Sequence, residues 1–284
     1  MTVDHPPRRG YADSSFGQLH YVEQGSGEPI LLLHQTPRSA DEFRELLPLL
    51  ARSSRAIAMD MLGFGLSAPV PAPQSIEQMA AGALALLDAL EVDTAVVMGH
   101  HTGGAVAVEL AASAPDRVRA VVLSSAPWTD AAYRSSHAGG PGVDEAVASE
   151  DGSHLTQLWG LRQPYYPPGR PDLLDRFIRD ALAPGVDPAE GHLACARYRM
   201  EDRIGLVQAP VLLLGAAADP FALPDLEPLS EHLTASAGVR RVVLEGGTIP
   251  LMEQLPDEVA AAVLDFLASV GAPTAPSTPH LEAS

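Results

Sequence analysis

The 284-residue chain contains no lysine and no asparagine, and all 18 of its basic residues are arginine. The absence of lysine excludes Schiff-base chemistry and the lysine of a P-loop. The absence of asparagine excludes an N-glycosylation sequon. The net charge of −18 disfavours nucleic acid and anionic membranes as partners, because clustered Lys and Arg side chains are what bind phosphate groups.

Cysteine and long apolar runs are scarce as well. The single Cys195 excludes an intramolecular disulfide and is typical of a reducing cytoplasm. Its place between two alanines on a predicted helix favours a packing role. The sequence has no run of 18 apolar residues and no apolar signal-peptide segment near Met1. With 46% hydrophobic residues, it predicts a globular, soluble, cytoplasmic protein.

Short apolar runs alternate with helical patterns along most of the chain. Strands are predicted at 29–33, 56–59, 95–98, 118–124, 211–214 and 241–244, and helices at 40–51, 75–90, 102–114, 226–234 and 256–269. Continuous apolar strands indicate a parallel sheet covered by helices on both faces, so the predicted fold class is α/β. A polar segment at 17–25 predicts an antiparallel edge hairpin.

The alternation stops between residues 128 and 203, where Gly- and Pro-rich clusters and short helical patterns replace strands. This stretch is predicted to be an inserted helical cap over the strand ends, where open α/β sheets bind ligands. The core is then formed by residues 1–127 and 204–270. Residues 271–284, rich in Pro, Ser, Thr and Ala, are predicted to be a disordered tail.

Five motifs follow the predicted strands in a fixed order. They are His34-Gln-Thr-Pro, Asp60-Met-Leu-Gly-Phe-Gly-Leu-Ser, Gly99-His-His-Thr-Gly, Gly215-Ala-Ala-Ala-Asp219 and Glu245-Gly-Gly-Thr248. Together they resemble the α/β-hydrolase superfamily, in particular its capped branch of epoxide hydrolases, haloalkane dehalogenases, meta-cleavage-product hydrolases and small esterases. The resemblance covers about residues 17–269 and implies a mostly parallel sheet with an inserted cap.

The departures from this family lie in the residues that carry its chemistry. The nucleophile turn, G-x-S-x-G in esterases, has His101 at its centre. Thr248 stands where the resemblance implies the triad histidine, and Gln35 where it implies glycine. Asp219 remains at the acid position, one residue later than usual. The sequence therefore predicts that the Ser-His-Asp triad is absent.

The resemblance implies that the nucleophile turn and the triad-histidine loop face each other. We therefore expect a dyad of His101 and Asp219, oriented by Thr248, in which a carboxylate fixes the tautomer of a general base. The chain keeps Gly99 and the strained turn, which favours a functional role for His101. The alternative is that His101 is a relic in an inactive site. A permuted triad with Thr248 as nucleophile is the weaker option.

The remaining candidate residues surround this dyad. Backbone N–H groups of Thr102 and of Gln35 or Thr36 are predicted to form an oxyanion hole. Candidates for the pocket lining are His34, Trp128, Tyr165 and Tyr166. For His34 the favoured role is bracing its loop, and for His100 it is packing beneath the turn. Asp130 is a reserve acid. Zinc ligation by the three histidines is disfavoured, because adjacent residues 100 and 101 point in different directions.

These features predict an enzyme without cofactor or metal that acts on a small apolar or aromatic molecule. His101 would serve as general base for non-covalent hydrolysis, or for elimination, isomerisation or cyclisation, at an activated carbonyl. The alternative is a catalytically silent ligand-binding pseudo-hydrolase. A role in secondary metabolism follows by analogy alone, and a homodimer is left open.

Overall fold

A central sheet of eight strands organises the computed structural model, which describes residues 6–137, 143–145 and 147–271. The strand order is β1-β2-β4-β3-β5-β6-β7-β8. The strands are β1 (Arg8–Ser14), β2 (Gly17–Gln24), β3 (Glu28–Leu33), β4 (Ser54–Met59), β5 (Ala95–His100), β6 (Val118–Ser124), β7 (Val211–Ala216) and β8 (Val239–Leu244). Strands β3 to β8 are parallel, and β1 and β2 are antiparallel. The predicted α/β-hydrolase fold is therefore confirmed.

Helices cover both faces of this sheet. Within the described ranges they are α1 (Leu47–Leu50), α2 (Ile76–Ala89), α3 (Thr102–Ser113), α4 (Ala131–His137), α5 (Ser153–Arg162), α6 (Pro171–Ala181), α7 (Glu190–Arg197), α8 (Leu226–His232), α9 (Leu251–Gln254) and α10 (Pro256–Ser269). Because side chains alternate along a strand, Leu31 and Leu33 of β3 pack with α2 and α3, whereas Ile30 and Leu32 pack with α1 and α10. Each face thus has its own apolar core.

Two predicted elements differ in the structure. The helix expected at 40–51 is a 3-10 turn at Ala40–Phe43 followed by α1. Pro48 explains the break, because its ring clashes with the carbonyl of Arg44 in a continuous helix. The segment 17–25 is not a hairpin by itself. It forms the single strand β2, and its antiparallel partner is β1, which sequence analysis missed.

The six parallel strands bring six loops to one edge of the sheet, because their carboxyl ends all lie there. These are the loops after β3 to β8. Helices α4 to α7 follow β6, and the described residues between α4 and β7 contain no strand. Leu158, Leu173 and Phe177 are buried in a small apolar cluster of their own. The division into core and cap at residues 128 and 203 stays a prediction.

Three further sequence predictions concern segments outside the sheet. Apart from Gly271, the predicted tail lies outside the described residues, as do residues 138–142 and 146 of the predicted cap. None of the helices in the described ranges has the length and hydropathy required to cross a membrane.

A buried arginine ties the loop after β3 to two distant segments. Arg38 is fully buried and donates to Glu253 of α9 at 2.8 and 3.0 Å and to Asp180 of α6 at 3.0 Å. Its backbone N–H closes the preceding turn on the carbonyl of Gln35 at 3.0 Å. A buried charge is tolerated only when such partners satisfy it. The loop that enters the active site is therefore fixed by this ion-pair network.

Replacing Arg38 by alanine should lower the free energy of unfolding by about 3–5 kcal/mol, since the buried carboxylates of Glu253 and Asp180 lose their fully buried partner and keep only more exposed arginines. Urea denaturation measures this change. The control is Arg44→Ala, whose side chain is 55% exposed and pairs with Asp41. A surface pair contributes about 0–1 kcal/mol. Equal losses in both variants would contradict a special role for Arg38.

Candidate active site

The turn between β5 and α3 holds His101 in a strained conformation. Its φ is 47° and its ψ is −115°, a region that residues with a side chain rarely occupy. Its backbone N–H donates to the carbonyl of Ser124 at 2.9 Å. A Cβ atom at Gly99 would collide with the backbone of Gly103, so the turn requires glycine there. Strain of this kind costs roughly 1–3 kcal/mol and tends to mark functional sites.

His101 faces the buried carboxylate of Asp219 on the loop after β7. Nε2 of His101 lies 3.1 Å from Oδ2 of Asp219, a close contact that lacks the alignment of a hydrogen bond. Oδ1 of Asp219 accepts the N–H groups of Phe221 at 3.0 Å and Ala222 at 3.2 Å. Burial alone would raise the pKa of Asp219, but His101 and these two N–H groups lower it to about 2. Asp219 is therefore ionised at neutral pH.

The contact with Asp219 determines which nitrogen of His101 is available for chemistry. An ionised carboxylate only accepts hydrogen bonds, so it favours the neutral tautomer with the proton on Nε2. Nδ1 makes no hydrogen bond with any described residue, and the side chain, 17% exposed, lines a cavity. The lone pair of Nδ1 is left to accept a proton from a bound molecule.

Thr248 lies in the facing loop but does not reach the dyad. Its hydroxyl donates to Oε1 of Gln254 at 2.5 Å, and its N–H donates to the same oxygen at 2.8 Å. The prediction that Thr248 orients His101 is therefore wrong, because a side chain six residues later takes its hydroxyl. Instead, Ile249 of this loop lines the cavity, and its carbonyl accepts from Nε2 of His100 at 2.9 Å.

Two backbone N–H groups at the cavity wall have no acceptor among the described residues, and one of them belongs to the loop after β3. The backbone N–H of Gln35 donates to Glu42 at 2.7 Å, and its side-chain amide donates to the same carboxyl group at 2.6 Å. Gln35 is therefore unsuitable as an oxyanion donor. The N–H groups of Thr36 and Thr102 have no acceptor among the described residues, and the two hydroxyls lie 2.8 Å apart at the cavity wall.

His34 and His100 use both ring nitrogens inside the protein. His34 donates from Nδ1 to the carbonyl of Gln35 at 2.7 Å and accepts the N–H of Met61 at 2.9 Å. His100 contacts Ser124 through Nδ1 at 3.1 Å, and burial, with the nearby charge of His101, lowers its pKa to about 3. His34 therefore braces its loop, which is the role favoured from the sequence. It does not line the cavity, so the prediction that it belongs to the pocket wall is wrong. Neither ring has a nitrogen free for a metal ion.

A cavity of about 920 Å³ opens above His101. Tyr165 lines it as predicted, but Trp128 and Tyr166 do not. The ring of Trp128 packs on His232 with 4.4 Å between centroids, and Tyr166 is buried against Phe177. Asp130 is not an acid of the site either, because its Oδ1 accepts the N–H of Tyr133 at the start of α4.

Several lining residues escaped sequence analysis. They are Tyr133, Asp144, Arg162, His192, Cys195, Phe221 and Asp225. Most belong to α4 to α7, whose orientation no motif reveals. Burial raises the pKa of Asp225 to about 6 and that of the Cys195 thiol to about 12, so the thiol is protonated at neutral pH. Among the described residues, no group of three or more His, Cys, Asp or Glu is arranged to hold a metal ion.

Comparison with known proteins agrees with this fold. The family model of the alpha/beta hydrolase fold matches residues 28–253. The chain belongs to the α/β-hydrolase family. The match runs from β3 to α9 and so includes the loops that carry His101 and Asp219.

Relatives in sequence within this family are enzymes. Haloalkane dehalogenase 2 of Mycobacterium tuberculosis is 37% identical over 122 residues, which are 43% of this chain and 43% of that protein. A 2-hydroxy-6-oxo-2,4-heptadienoate hydrolase of Pseudomonas putida is 31% identical over 195 residues, 67% of this chain and 61% of that protein. The chain thus spans less than half the length of the first of these relatives.

Solved structures of the family superpose over nearly the whole chain. An epoxide hydrolase from an endophytic Streptomyces has a TM-score of 0.77 at 24% identity, covering 93% of this chain and 96% of that one. An esterase from Thermogutta terrifontis has a TM-score of 0.74 at 22% identity, with coverage of 93% and 100%. Such similarity shows the fold alone.

The low pKa of Asp219 predicts how stability depends on pH. The ionised carboxylate stabilises the folded state above the unfolded value of about 3.9, and this contribution is lost as the pH falls towards about 2. Between pH 6 and pH 2, the free energy of unfolding should therefore decrease by about 2 kcal/mol less in Asp219→Asn than in the wild type. Urea denaturation at each pH measures this difference. Parallel curves for the two proteins would contradict it.

Proposed function

We propose that this protein is an α/β-hydrolase-fold enzyme in which His101 acts as a general base and no covalent intermediate forms. The observation that carries the proposal is the position of His101, on a strained turn 3.1 Å from the buried carboxylate of Asp219. A histidine oriented by a carboxylate is an effective base near neutral pH. Preservation of the turn supports a reacting group at this position rather than a relic.

The environment of His101 argues against a nucleophile at the same place. An imidazole occupies the turn, and the Thr248 hydroxyl is bonded to Gln254. Cys195 lines the cavity, but burial raises the pKa of its thiol to about 12, which leaves almost no thiolate to attack a substrate. The simplest chemistry is therefore proton transfer to Nδ1 of His101.

In the proposed hydrolysis, Nδ1 of His101 removes a proton from a water molecule as its oxygen attacks an ester or lactone carbonyl. The N–H groups of Thr36 and Thr102 receive the negative charge that develops on the carbonyl oxygen. Asp219 stabilises the imidazolium that forms. The carbonyl then re-forms, the bond to the leaving oxygen breaks, and His101 returns its proton to that oxygen. The same base would serve elimination, isomerisation or cyclisation when the proton comes from the substrate.

The cavity wall supports a small apolar or aromatic substrate. Val143, Val147, Leu161, Tyr165 and Phe221 form an apolar part of its lining. The last two rings meet edge to face with 4.8 Å between centroids. Polar side chains line much of the rest of the wall, both near His101 and along the segments that face it. They would fix the orientation of a ligand that the apolar part of the wall binds.

His101→Gln should lower kcat/KM about 1,000-fold, because a positioned general base contributes roughly 10²–10⁴ in rate. The probes are phenyl acetate, p-nitrophenyl butyrate and dihydrocoumarin. The wild-type pH–rate profile should have an ascending limb that the variant lacks. Intact-mass spectrometry during turnover should detect no acyl adduct.

The matched control is His232→Gln, because His232 is exposed, does not line the cavity and, within the described residues, hydrogen-bonds only to the local carbonyl of Pro228, besides packing on Trp128. It should leave kcat/KM unchanged. An acyl adduct on the protein would contradict the non-covalent mechanism. Binding of the probes without any turnover by the wild type would favour the ligand-binding alternative.

A further inference from the structure

A second histidine faces the same cavity from the cap side. His192 of α7 is about a quarter exposed and lines the cavity together with Asp144 and Arg162. Nε2 of His192 lies 3.2 Å from Nη2 of Arg162 and 3.2 Å from Oδ2 of Asp144. The ring is thus held on one edge by two charged side chains, as His101 is held by Asp219.

Asp144 and Arg162 form a rigid support behind this ring. Asp144 is 2% exposed and has a φ of 68°, a conformation that a side chain makes unfavourable. Arg162 donates to the carboxylate of Asp144 from two nitrogens, from Nε at 2.6 Å and from Nη2. The guanidinium carbon also lies 5.1 Å from the ring centre of Phe177. The position of Nη2, which contacts His192, is therefore fixed.

The contact with Arg162 determines the tautomer of His192. A guanidinium only donates hydrogen bonds, so Nε2 must present its lone pair, and the proton of the neutral ring is on Nδ1. Oδ2 of Asp144 also lies near Nε2, but it already accepts a hydrogen bond from Nη2 of Arg162, and of the two contacts of Nε2 only the one with Arg162 has hydrogen-bond alignment. Burial, together with the charges of Arg162 and His101, lowers the pKa of His192 against the opposing effect of Asp144. The ring is therefore neutral at pH 8.

Helix α7 carries this ring to the edge of the proposed oxyanion site. A Cβ atom at Gly191 would collide with the side chain of Thr36, so the helix backbone rests directly on that residue. Cys195, three residues after His192 and hence on the same face of the helix, also lines the cavity and contacts the Thr102 hydroxyl. Helix α7, which carries His192, therefore packs against the two threonines that supply the free N–H groups.

We propose that His192 donates a hydrogen bond from Nδ1 to an oxygen of the substrate. His192 thus offers a hydrogen-bond donor to the cavity, whereas His101 offers a lone pair. This inference rests on the proposed function and names the substrate class more closely. The substrate is a neutral molecule with an acceptor oxygen, of a ketone, ester or ether, on its cap-facing side. Asp144, Asp219 and Asp225 line or border the cavity, and Arg162 is already paired, so a carboxylate group is disfavoured there.

The tautomers can be measured directly by NMR of the ¹⁵N-labelled protein at pH 8. His192 and His101 are assigned by the loss of their signals in His192→Gln and His101→Gln. We expect the proton on Nδ1 in His192 and on Nε2 in His101. Arg162→Met should shift His192 towards the tautomer with the proton on Nε2, because Asp144 then remains beside that nitrogen. A wild-type proton on Nε2 of His192 would overturn the inference, and this result does not depend on turnover.

The role in turnover is tested by two substitutions of His192 with the phenyl acetate assay. His192→Leu has no donor and should lower kcat/KM about 10- to 100-fold, whereas His192→Gln keeps an N–H donor and should retain most activity. Equal losses in the two variants would overturn the inference. Unchanged activity in His101→Gln would overturn the proposed function instead, so the two failures are distinguishable.

Discussion

The close approach of β5 and α3 at His101 is the constraint on which the rest of this site depends. A strand that ends at His100 and a helix that begins at Thr102 leave one residue to reverse the chain direction. That residue adopts a positive φ, which projects its side chain away from the backbone and over the strand ends. Because β6 and β7 are parallel to β5, the loop after β7 ends beside it. The fold thus brings Asp219 to His101.

The interaction between Asp219 and His101 depends on burial more than on distance. In water, a carboxylate and an imidazole 3.1 Å apart would interact weakly, but Asp219 has no exposed surface and receives two backbone N–H groups. Its ionised form is stabilised inside the protein, and the nearby ring is held in one orientation and one tautomer. The same logic applies to Arg38, whose buried pairing with Glu253 and Asp180 fixes the loop of Thr36. Both interactions supply rigidity that exposed pairs would lack.

The parts of this molecule that could be predicted from sequence are those set by strand periodicity and motif order. The parallel sheet and the juxtaposition of His101 and Asp219 belong to this class, because strand ends meet wherever the helices pack. Thr248 and Gln35 were misjudged for a different reason. Each has a competing local partner, Gln254 and Glu42, six or seven residues further along, and family resemblance says nothing about such partners. Between β6 and β7, Tyr165 lines the cavity as predicted, but His192 and Arg162 could not be placed, because their orientation depends on side-chain packing between helices.

The two cavity histidines differ in chemistry because their partners differ in sign. A carboxylate next to Nε2 favours the ring proton on that nitrogen, which is why Nδ1 of His101 is the proposed base. A guanidinium next to Nε2 favours the proton on the other nitrogen, which is why Nδ1 of His192 is the proposed donor. In the proposed mechanism, a proton acceptor after β5 and a hydrogen-bond donor on α7 would face the same cavity. A reaction that forms no covalent intermediate would use such an arrangement, since separate groups would then polarise the substrate and remove a proton in one step.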